Sequence, residues 1–246
     1  MEDFEIKILG SVSPFCYKNK NCVGILIYHN NQKILLDCGN GITRNMIFPN
    51  DLENLNVIIT HLHKDHYGDL SSINYAAYVY HSYHMLKNKI KIYIPSVNSM
   101  QDDINYSEYY EIKNGEIYIG DLKVTFHDNN SHGIESYMIK IESKDNTIVY
   151  TSDIGNTNLE DVIRYSNEAS LLVCESSLLT TDNSKLNTHL HAYEAGIIAR
   201  KAKVKKLILT HFWPLTDKYN YLEEAKRYFD NTTLAEENKT IILRRK

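Results

Sequence analysis

The residues best placed to do chemistry lie in one short run, His61-Leu62-His63-Lys64-Asp65-His66. His61 and His63 occupy alternate positions, so an extended or tightly turned backbone directs both imidazoles to one side. Asp65 and His66 follow at the turn. Neutral imidazoles and carboxylates are the usual protein ligands of zinc and similar divalent ions. Three imidazoles and one carboxylate exceed what a single tetrahedral ion needs if it also keeps a water. The run therefore points to two ions side by side and to hydrolysis. A solvated His-rich loop is the bland alternative. Against it stands the apolar segment NLNVIIT (54–60), which ends where the run begins and offers rigid support.

Two ions need further ligands. Ser131-His132-Gly133 precedes an apolar stretch around Tyr137, Val149-Tyr150-Thr151-Ser152-Asp153 ends in a carboxylate, and Leu207-Ile208-Leu209-Thr210-His211 ends in an imidazole. Strand ends are where α/β proteins place their sites. Singly, such residues more often cap an element or face solvent. With the first run they complete a set of seven: His61, His63, Asp65, His66, His132, Asp153 and His211. His127 competes with His132, its spacing to Asp153 being feasible too. His132 is preferred because it sits in a Gly-containing loop before a strand, whereas His127 lies in a strand or at its end.

The elements that must position these residues read as follows. Short apolar runs bounded by turn residues predict strands at 4–9, 23–28, 33–37, 54–60, 90–94, 117–119, 122–127, 136–141 and 147–151. Asn30-Asn31 and Gly120-Asp121 are hairpin signals. Residues 67–87 contain a helix. The second half adds helices at 159–166, 192–202 and 221–229, with strands at 171–174, 206–210 and 239–243. This mixture predicts an α/β architecture of two sheets between helix layers. Only four prolines occur, no linker-like segment is visible and no 20–50-residue repeat stands out, so one domain over residues 1–246 is expected.

The order HLHKDH, His132, Asp153, His211 resembles the metallo-β-lactamase superfamily. LGSVSPF resembles its first strand and turn, and Leu35-Leu36-Asp37-Cys38-Gly39 its D-x-G strand end. The chain is most similar to the ribonuclease Z-like phosphodiesterase branch. Thr188-His189-Leu190-His191-Ala192 with Glu194-Ala195, running into KAKVKKLILTHFWP, carries that likeness. The resemblance implies a four-layer αββα sandwich with the metals at one edge. It implies that His61, His63 and His132 hold the first ion, that Asp65, His66 and His211 hold the second, and that Asp153 bridges both. It also implies a homodimer. His189 falls on a histidine of that branch which lactonases, glyoxalases and true β-lactamases are not expected to have.

Two such ions can share a hydroxide that attacks phosphorus in line. His189 is then the candidate for contacting the phosphate and assisting the leaving group, as general acid or electrostatic stabiliser; its bland reading is a polar residue at a helix start. Asp65 is a second catalytic candidate, orienting the hydroxide. Asp37 is expected to hold a ligand imidazole from behind, and Glu175 could do the same. His191 either caps the helix or meets substrate.

Ribonuclease Z enzymes that process tRNA carry an inserted arm, which in the bacterial form lies between the third-motif histidine and the bridging aspartate. Here His132 and Asp153 are 21 positions apart, room for two strands and a turn. His211-Phe212-Trp213-Pro214 and Met138 also depart from the tRNA-processing pattern. A small phosphodiester, a cyclic nucleotide or short nucleotide, is the expected substrate. The alternatives are RNA cleavage, hydrolysis of a lactone, ester or thioester on the same metals, and a non-catalytic metal-bound sensor.

Composition sets outer bounds. At 246 residues, 43 % hydrophobic and 24 % charged, the chain is an ordinary globular protein. A net charge of −4 argues against a general nucleic-acid binder. Arg200, Lys201, Lys203, Lys205, Lys206 and Arg244, Arg245, Lys246 read as a solvated helix face and a frayed end. Cys16, Cys22, Cys38 and Cys174 form no C-x-x-C pair and are expected to be buried, reduced thiols. MEDFEIKILG begins acidic and lacks a long apolar core, so no signal peptide is expected, and no apolar run approaches a membrane span. A cytoplasmic location follows. Zinc is the expected metal, with manganese or iron able to use the same ligands.

Overall fold

The structure, a computed structural model, describes residues 2–99, 106–129, 131–182 and 187–245. Contacts divide the chain into two compact units: Met1–Lys113 with Glu236–Arg244, and Asn114–Ala235 with Arg245–Lys246.

The first unit is built on a seven-stranded sheet. Its strands are β1 (Glu2–Gly10), β2 (Gly24–His29), β3 (Gln32–Leu36), β4 (Leu55–Ile58), β5 (Ile90–Ile94), β6 (Ser107–Glu111) and, from the chain's end, β14 (Thr240–Arg244). The order is β14-β1-β2-β3-β4-β5-β6. Pairings from β14 to β3 are antiparallel, and those from β3 to β6 are parallel. β4 is buried at all four positions, as a parallel strand covered on both faces must be. The run that follows it forms one helical turn, α1 (Lys64–Tyr67), and α2 (Leu70–Ser82) comes next. α2 buries Leu70, Ile73, Asn74 and Ala77, the three-and-four spacing of one helical face. Leu70, Ile73 and Ala77 join Leu35, Val57 and Ile92 in one apolar cluster.

The second unit repeats the scheme. Its strands are β7 (Gly115–Ile119), β8 (Leu122–Asp128), β9 (Tyr137–Glu142), β10 (Thr147–Tyr150), β11 (Leu171–Glu175), β12 (Leu207–Thr210) and β13 (Thr232–Leu234). They lie in the order β13-β12-β11-β10-β9-β8-β7, antiparallel from β7 to β10 and parallel from β10 to β13. The helices are α3 (Leu159–Tyr165), α4 (Ala192–Lys201) and α5 (Lys218–Lys226). α4 buries mostly small residues (Ala192, Ala195, Gly196, Ala199), so α5 approaches closely; a Cβ on Gly196 would lie 2.5 Å from the Ala225 carbonyl oxygen.

Several features differ from the sequence expectation. β6, β13 and the helical turn α1 are not anticipated, and α5 spans 218–226 rather than 221–229. Asp217 explains the earlier start: its carboxylate accepts the Tyr219 N–H at 3.1 Å and caps the helix. Lys246 lies outside the described residues.

Candidate metal centre

In the first unit the site residues gather beyond the ends of β3 and β4. Asp37 follows β3 in a left-handed backbone conformation (φ 55°), which turns its side chain across the sheet edge. Its Oδ1 accepts the Thr60 N–H at 2.8 Å and the Thr60 hydroxyl at 2.9 Å, tying down the residue before His61. Its Oδ2 accepts the Nδ1–H of His66 at 2.8 Å. Both side chains are fully buried. The second nitrogen of His66, Nε2, is thereby left as an acceptor. It faces Asp65 Oδ2 at 3.7 Å. That same oxygen accepts the Ser13 hydroxyl at 2.7 Å. His61 Nε2 lies 3.1 Å from His63 Nδ1, and the rings of His61 and His66 are 4.0 Å apart. His61, Asp65 and His66 are buried, whereas His63 is exposed.

Gly39 makes this loop possible. A Cβ there would lie 2.2 Å from the Asp65 carbonyl oxygen and 2.7 Å from the Val23 carbonyl oxygen. No side chain fits between the D-x-G strand end and the metal-binding run.

In the second unit His132, Asp153, His189 and His211 converge. Asp153 follows β10 through Ser152 (φ 56°), and His211 follows β12 with φ 66°. Left-handed backbone at a non-glycine residue costs on the order of 1 kcal/mol or more, so a surrounding network must hold it. Asp153 is 2 % exposed. Its Oδ2 lies 3.4 Å from His132 Nε2, and its Oδ1 lies 2.9 Å from His211 Nε2. Asp153, His189 and His211 each offer a ligand atom within 4.8 Å of the others. Gly155 closes the loops around them: a Cβ there would meet the carbonyl oxygens of Asn187 at 2.1 Å and Ser131 at 2.5 Å.

The hydrogen bonds behind these imidazoles fix their tautomers. His132 Nδ1 lies 2.9 Å from the Thr188 carbonyl, which can only accept, so Nδ1 carries the proton. Ser177 donates its hydroxyl proton to Glu175 Oε2 at 2.6 Å, and its Oγ accepts the Nδ1–H of His211 at 2.7 Å. Both imidazoles thus turn a lone pair on Nε2 toward the Asp153 carboxylate. Facing acceptors repel unless a cation lies between them. Ligand atoms about 2.1 Å from a tetrahedral ion are about 3.4 Å apart. The 3.4 Å separation equals that spacing, and the 3.1 and 2.9 Å separations are a few tenths of an ångström shorter. The donor set therefore fits divalent metal ions.

His189 stands slightly apart. Its Nδ1–H donates to Glu175 Oε1 at 3.0 Å, its ring stacks on His211 at 5.5 Å and meets His132 edge-on at 4.9 Å. Glu175 is fully buried and also accepts the backbone N–H groups of Ile154 and Ser177. Burial opposes a charge on His189, but the Glu175 carboxylate and its hydrogen bond outweigh that and raise the imidazole above its ordinary pKa.

The remaining candidates have structural partners. His127 Nε2 lies 2.7 Å from Asp161 Oδ2 and its ring stacks on Tyr165 at 5.0 Å. His191 is the N-cap of α4, where the Glu194 carboxylate reaches back to accept its N–H at 2.8 Å. Ser177 was not singled out from the sequence. A serine two residues past a strand end carries no signal of its own, and its role depends on residues 34 positions away. The interval between His132 and Asp153 holds β9, a turn and β10 only.

Comparison with known proteins agrees with this geometry. The family model described as a β-lactamase superfamily domain matches residues 32–212. The probable metallo-hydrolase YhfI of Bacillus subtilis is 24 % identical over 92 % of this chain and 94 % of its own length. Its crystal structure superposes with a TM-score of 0.87 over 98 % of this chain and 99 % of that one, at 23 % identity. Ribonuclease Z of Archaeoglobus fulgidus is 26 % identical over 95 % of this chain and 96 % of its own. A diphosphatase of the PhnP family superposes with a TM-score of 0.73 over 98 % of both chains, at 14 % identity. Two mixed sheets with flanking helices, a donor set that fits divalent cations and a family match across most of the chain lead to one conclusion: this chain belongs to the β-lactamase superfamily and is a metal-dependent hydrolase of the metallo-β-lactamase fold.

Proposed function

We propose that the protein is a dinuclear phosphodiesterase acting on a small phosphodiester, a cyclic nucleotide or short nucleotide. In this reading residues 1–246 work as one catalytic domain. His61, His63 and His132 would hold one ion, Asp65, His66 and His211 would hold the other, and Asp153 would be shared between them. Two divalent ions so held would supply an activated water and a clamp for the phosphoryl oxygens.

The observation that carries the substrate class is His189. It lies beside His132 and His211, yet its Nδ1 is occupied by Glu175. When the imidazole is protonated, its Nε2–H is the group available to the phosphate or the leaving oxygen. A phosphodiester is anionic and releases an alkoxide, so it gains from a proton donor backed by a buried carboxylate. Glu175 keeps the imidazole oriented and balances the charge it carries. Asp65, fixed by Ser13, is the second catalytic residue and orients the attacking water.

The similarity to ribonuclease Z supports phosphodiester chemistry, and the short interval between His132 and Asp153 favours a substrate smaller than tRNA. The proposal further comprises zinc as the metal, with manganese or iron able to substitute, a homodimeric assembly and a cytoplasmic location. Among the described residues no helix is long and apolar enough to cross a membrane.

The test is turnover by protein of defined metal content, with bis(p-nitrophenyl) phosphate, cyclic nucleotides, dinucleotides, precursor tRNA and a lactone as substrates. Hydrolysis of the small diesters, lost in His189→Ala with metal retained, is expected. Lactone turnover with little diester turnover would overturn the reading. Cleavage of precursor tRNA in preference to small diesters would replace it with RNA endonuclease activity.

A further inference from the structure

The four cysteines are expected to be buried, reduced thiols; all four are free, Cys16 is only partly buried, and Cys16 and Cys22 meet. Cys16 and Cys22 are six residues apart, and their sulfurs lie 3.8 Å apart. The segment between them folds back on itself, with Tyr17 and Lys20 bridged and Lys18 in a left-handed conformation. Cys16 is partly exposed, whereas Cys22 is buried. Cys38 and Cys174 are free and buried.

We propose that Cys16 and Cys22 form a reversible disulfide whose closure shifts the turn carrying Ser13 and so acts on Asp65. The oxidant is a peroxide. The Cys16 sulfur, the more accessible of the two, attacks a peroxide oxygen as its thiolate; an S–O bond forms, the O–O bond breaks and one water leaves. The Cys22 sulfur then attacks the Cys16 sulfenic acid and gives up its proton; the S–S bond forms, the S–O bond breaks and a second water leaves. Two thiols and one hydrogen peroxide thus give one disulfide and two waters. A dithiol reductant reverses the change by exchange. Cys22 suits the second step by position, its sulfur lying 3.8 Å from that of Cys16.

The disulfide bond length is about 2.05 Å, so the sulfurs must approach by roughly 1.8 Å. Cys22 has little room to move. Its N–H donates to the Asn40 carbonyl at 2.9 Å, and its Cβ packs against Gly39, where an added Cβ would lie 2.7 Å from it. The displacement therefore falls on Cys16 and its turn. Cys16 at present donates its S–H to the Asn40 carbonyl at 2.8 Å, a bond that oxidation removes. Three residues earlier in the same turn, Ser13 donates to Asp65 Oδ2. The chemistry of the thiols stands alone, while the consequence for metal binding rests on Asp65 being a ligand.

Reduced full-length protein is treated with hydrogen peroxide, alkylated, and digested with trypsin without reductant. Lys18 and Lys20 lie between the cysteines, so cleavage there separates them unless a disulfide joins the two peptides. The expected result is loss of two of the four thiols and a joined Cys16–Cys22 pair that dithiothreitol releases. In Cys16→Ser, Cys22 is expected to stay alkylatable. Both cysteines remaining alkylated, or Cys16 proceeding to the sulfinic acid with Cys22 free, would overturn the disulfide. Hydrogen exchange at the His66 amide, read without reference to metal or activity, tests the coupling. It should change severalfold between oxidised and reduced wild-type protein and not between peroxide-treated and untreated Cys16→Ser. Equal exchange in both states of the wild type removes the link to Asp65. Failure of the phosphodiesterase reading would leave both measurements unaffected.

Discussion

Oδ2 of Asp37 accepts the Nδ1–H of His66 at 2.8 Å, and neither side chain has any solvent exposure. The contact leaves Nε2 of His66 as an acceptor, the tautomer a metal ligand needs. The same carboxylate receives the Thr60 N–H and hydroxyl, so one residue orders both ends of the loop that holds His61 and His63.

Asp37→Asn keeps the shape but replaces the carboxylate. Removing such an outer partner weakens metal binding about 10–100-fold. Chelator competition followed by metal analysis should show that loss with the fold retained. Asp37→Ala also strands buried donors, each costing about 1–3 kcal/mol. Its urea midpoint should therefore fall well below that of Asp37→Asn; equal midpoints would show that the Thr60 bonds contribute nothing.

Ser177→Ala removes the acceptor of the His211 Nδ1–H and one donor to Glu175. The expected outcome is again about 10–100-fold weaker metal binding, confined to the ion His211 serves. Loss of one equivalent before the other in a chelator titration would show it; simultaneous loss of both would contradict it.

His189→Ala and Glu175→Gln separate chemistry from metal binding. Removing a positioned proton donor costs about 10²–10⁴-fold in rate. kcat for small diesters should drop by that order in His189→Ala at unchanged metal content. Glu175→Gln should lower kcat less and alter its pH profile, since an amide supports the imidazolium more weakly than a carboxylate. An unchanged profile would remove Glu175 from this role.

The pair His127–Asp161 belongs to stability. Burial alone would raise the Asp161 carboxyl, but the hydrogen bond and charge of His127, with Arg164, overcome it and hold the group below its ordinary range. A carboxyl depressed in the folded state contributes stability above its unfolded pKa, about 3.9. That contribution is lost as pH falls through the lower folded value. The stability gap between wild type and Asp161→Asn should thus be open at pH 6 and close in strong acid. His127→Ala should retain both metals.

Chelation should destabilise the fold, because metal binds the native state only. At a free metal concentration 100 times Kd the linkage is worth about 2.7 kcal/mol per site. A lower Tm in the presence of chelator, restored by added zinc, is expected; an identical Tm would argue against both sites.

Much of the candidate site is legible in the chain because its densest part is contiguous. His61, His63, Asp65 and His66 fall within six residues, so no folding is needed to see them together. Asp153 and His211 announce themselves by ending apolar strands, and Asp37 by the D-x-G pattern. Most strands follow from apolar runs with turn residues between them. β6 (SEYYE) does not, because its sheet-edge position lets it carry charge and the exposed Tyr110, and β13, at the other sheet's edge, is only three residues long.

The tertiary structure decided what each of these groups faces. His127 and His132 are only five residues apart and chemically alike, yet one turns to Asp161 and the other to Asp153. Ser177 became a link between Glu175 and His211 only once β11 and β12 lay side by side. Cys16 and Cys22 became a pair because a turn returns the chain on itself. Residue type and local spacing determine which groups can bind a metal or carry a proton. Which nitrogen bears that proton depends on the acceptor behind it, and folding brings that acceptor from a distant part of the chain.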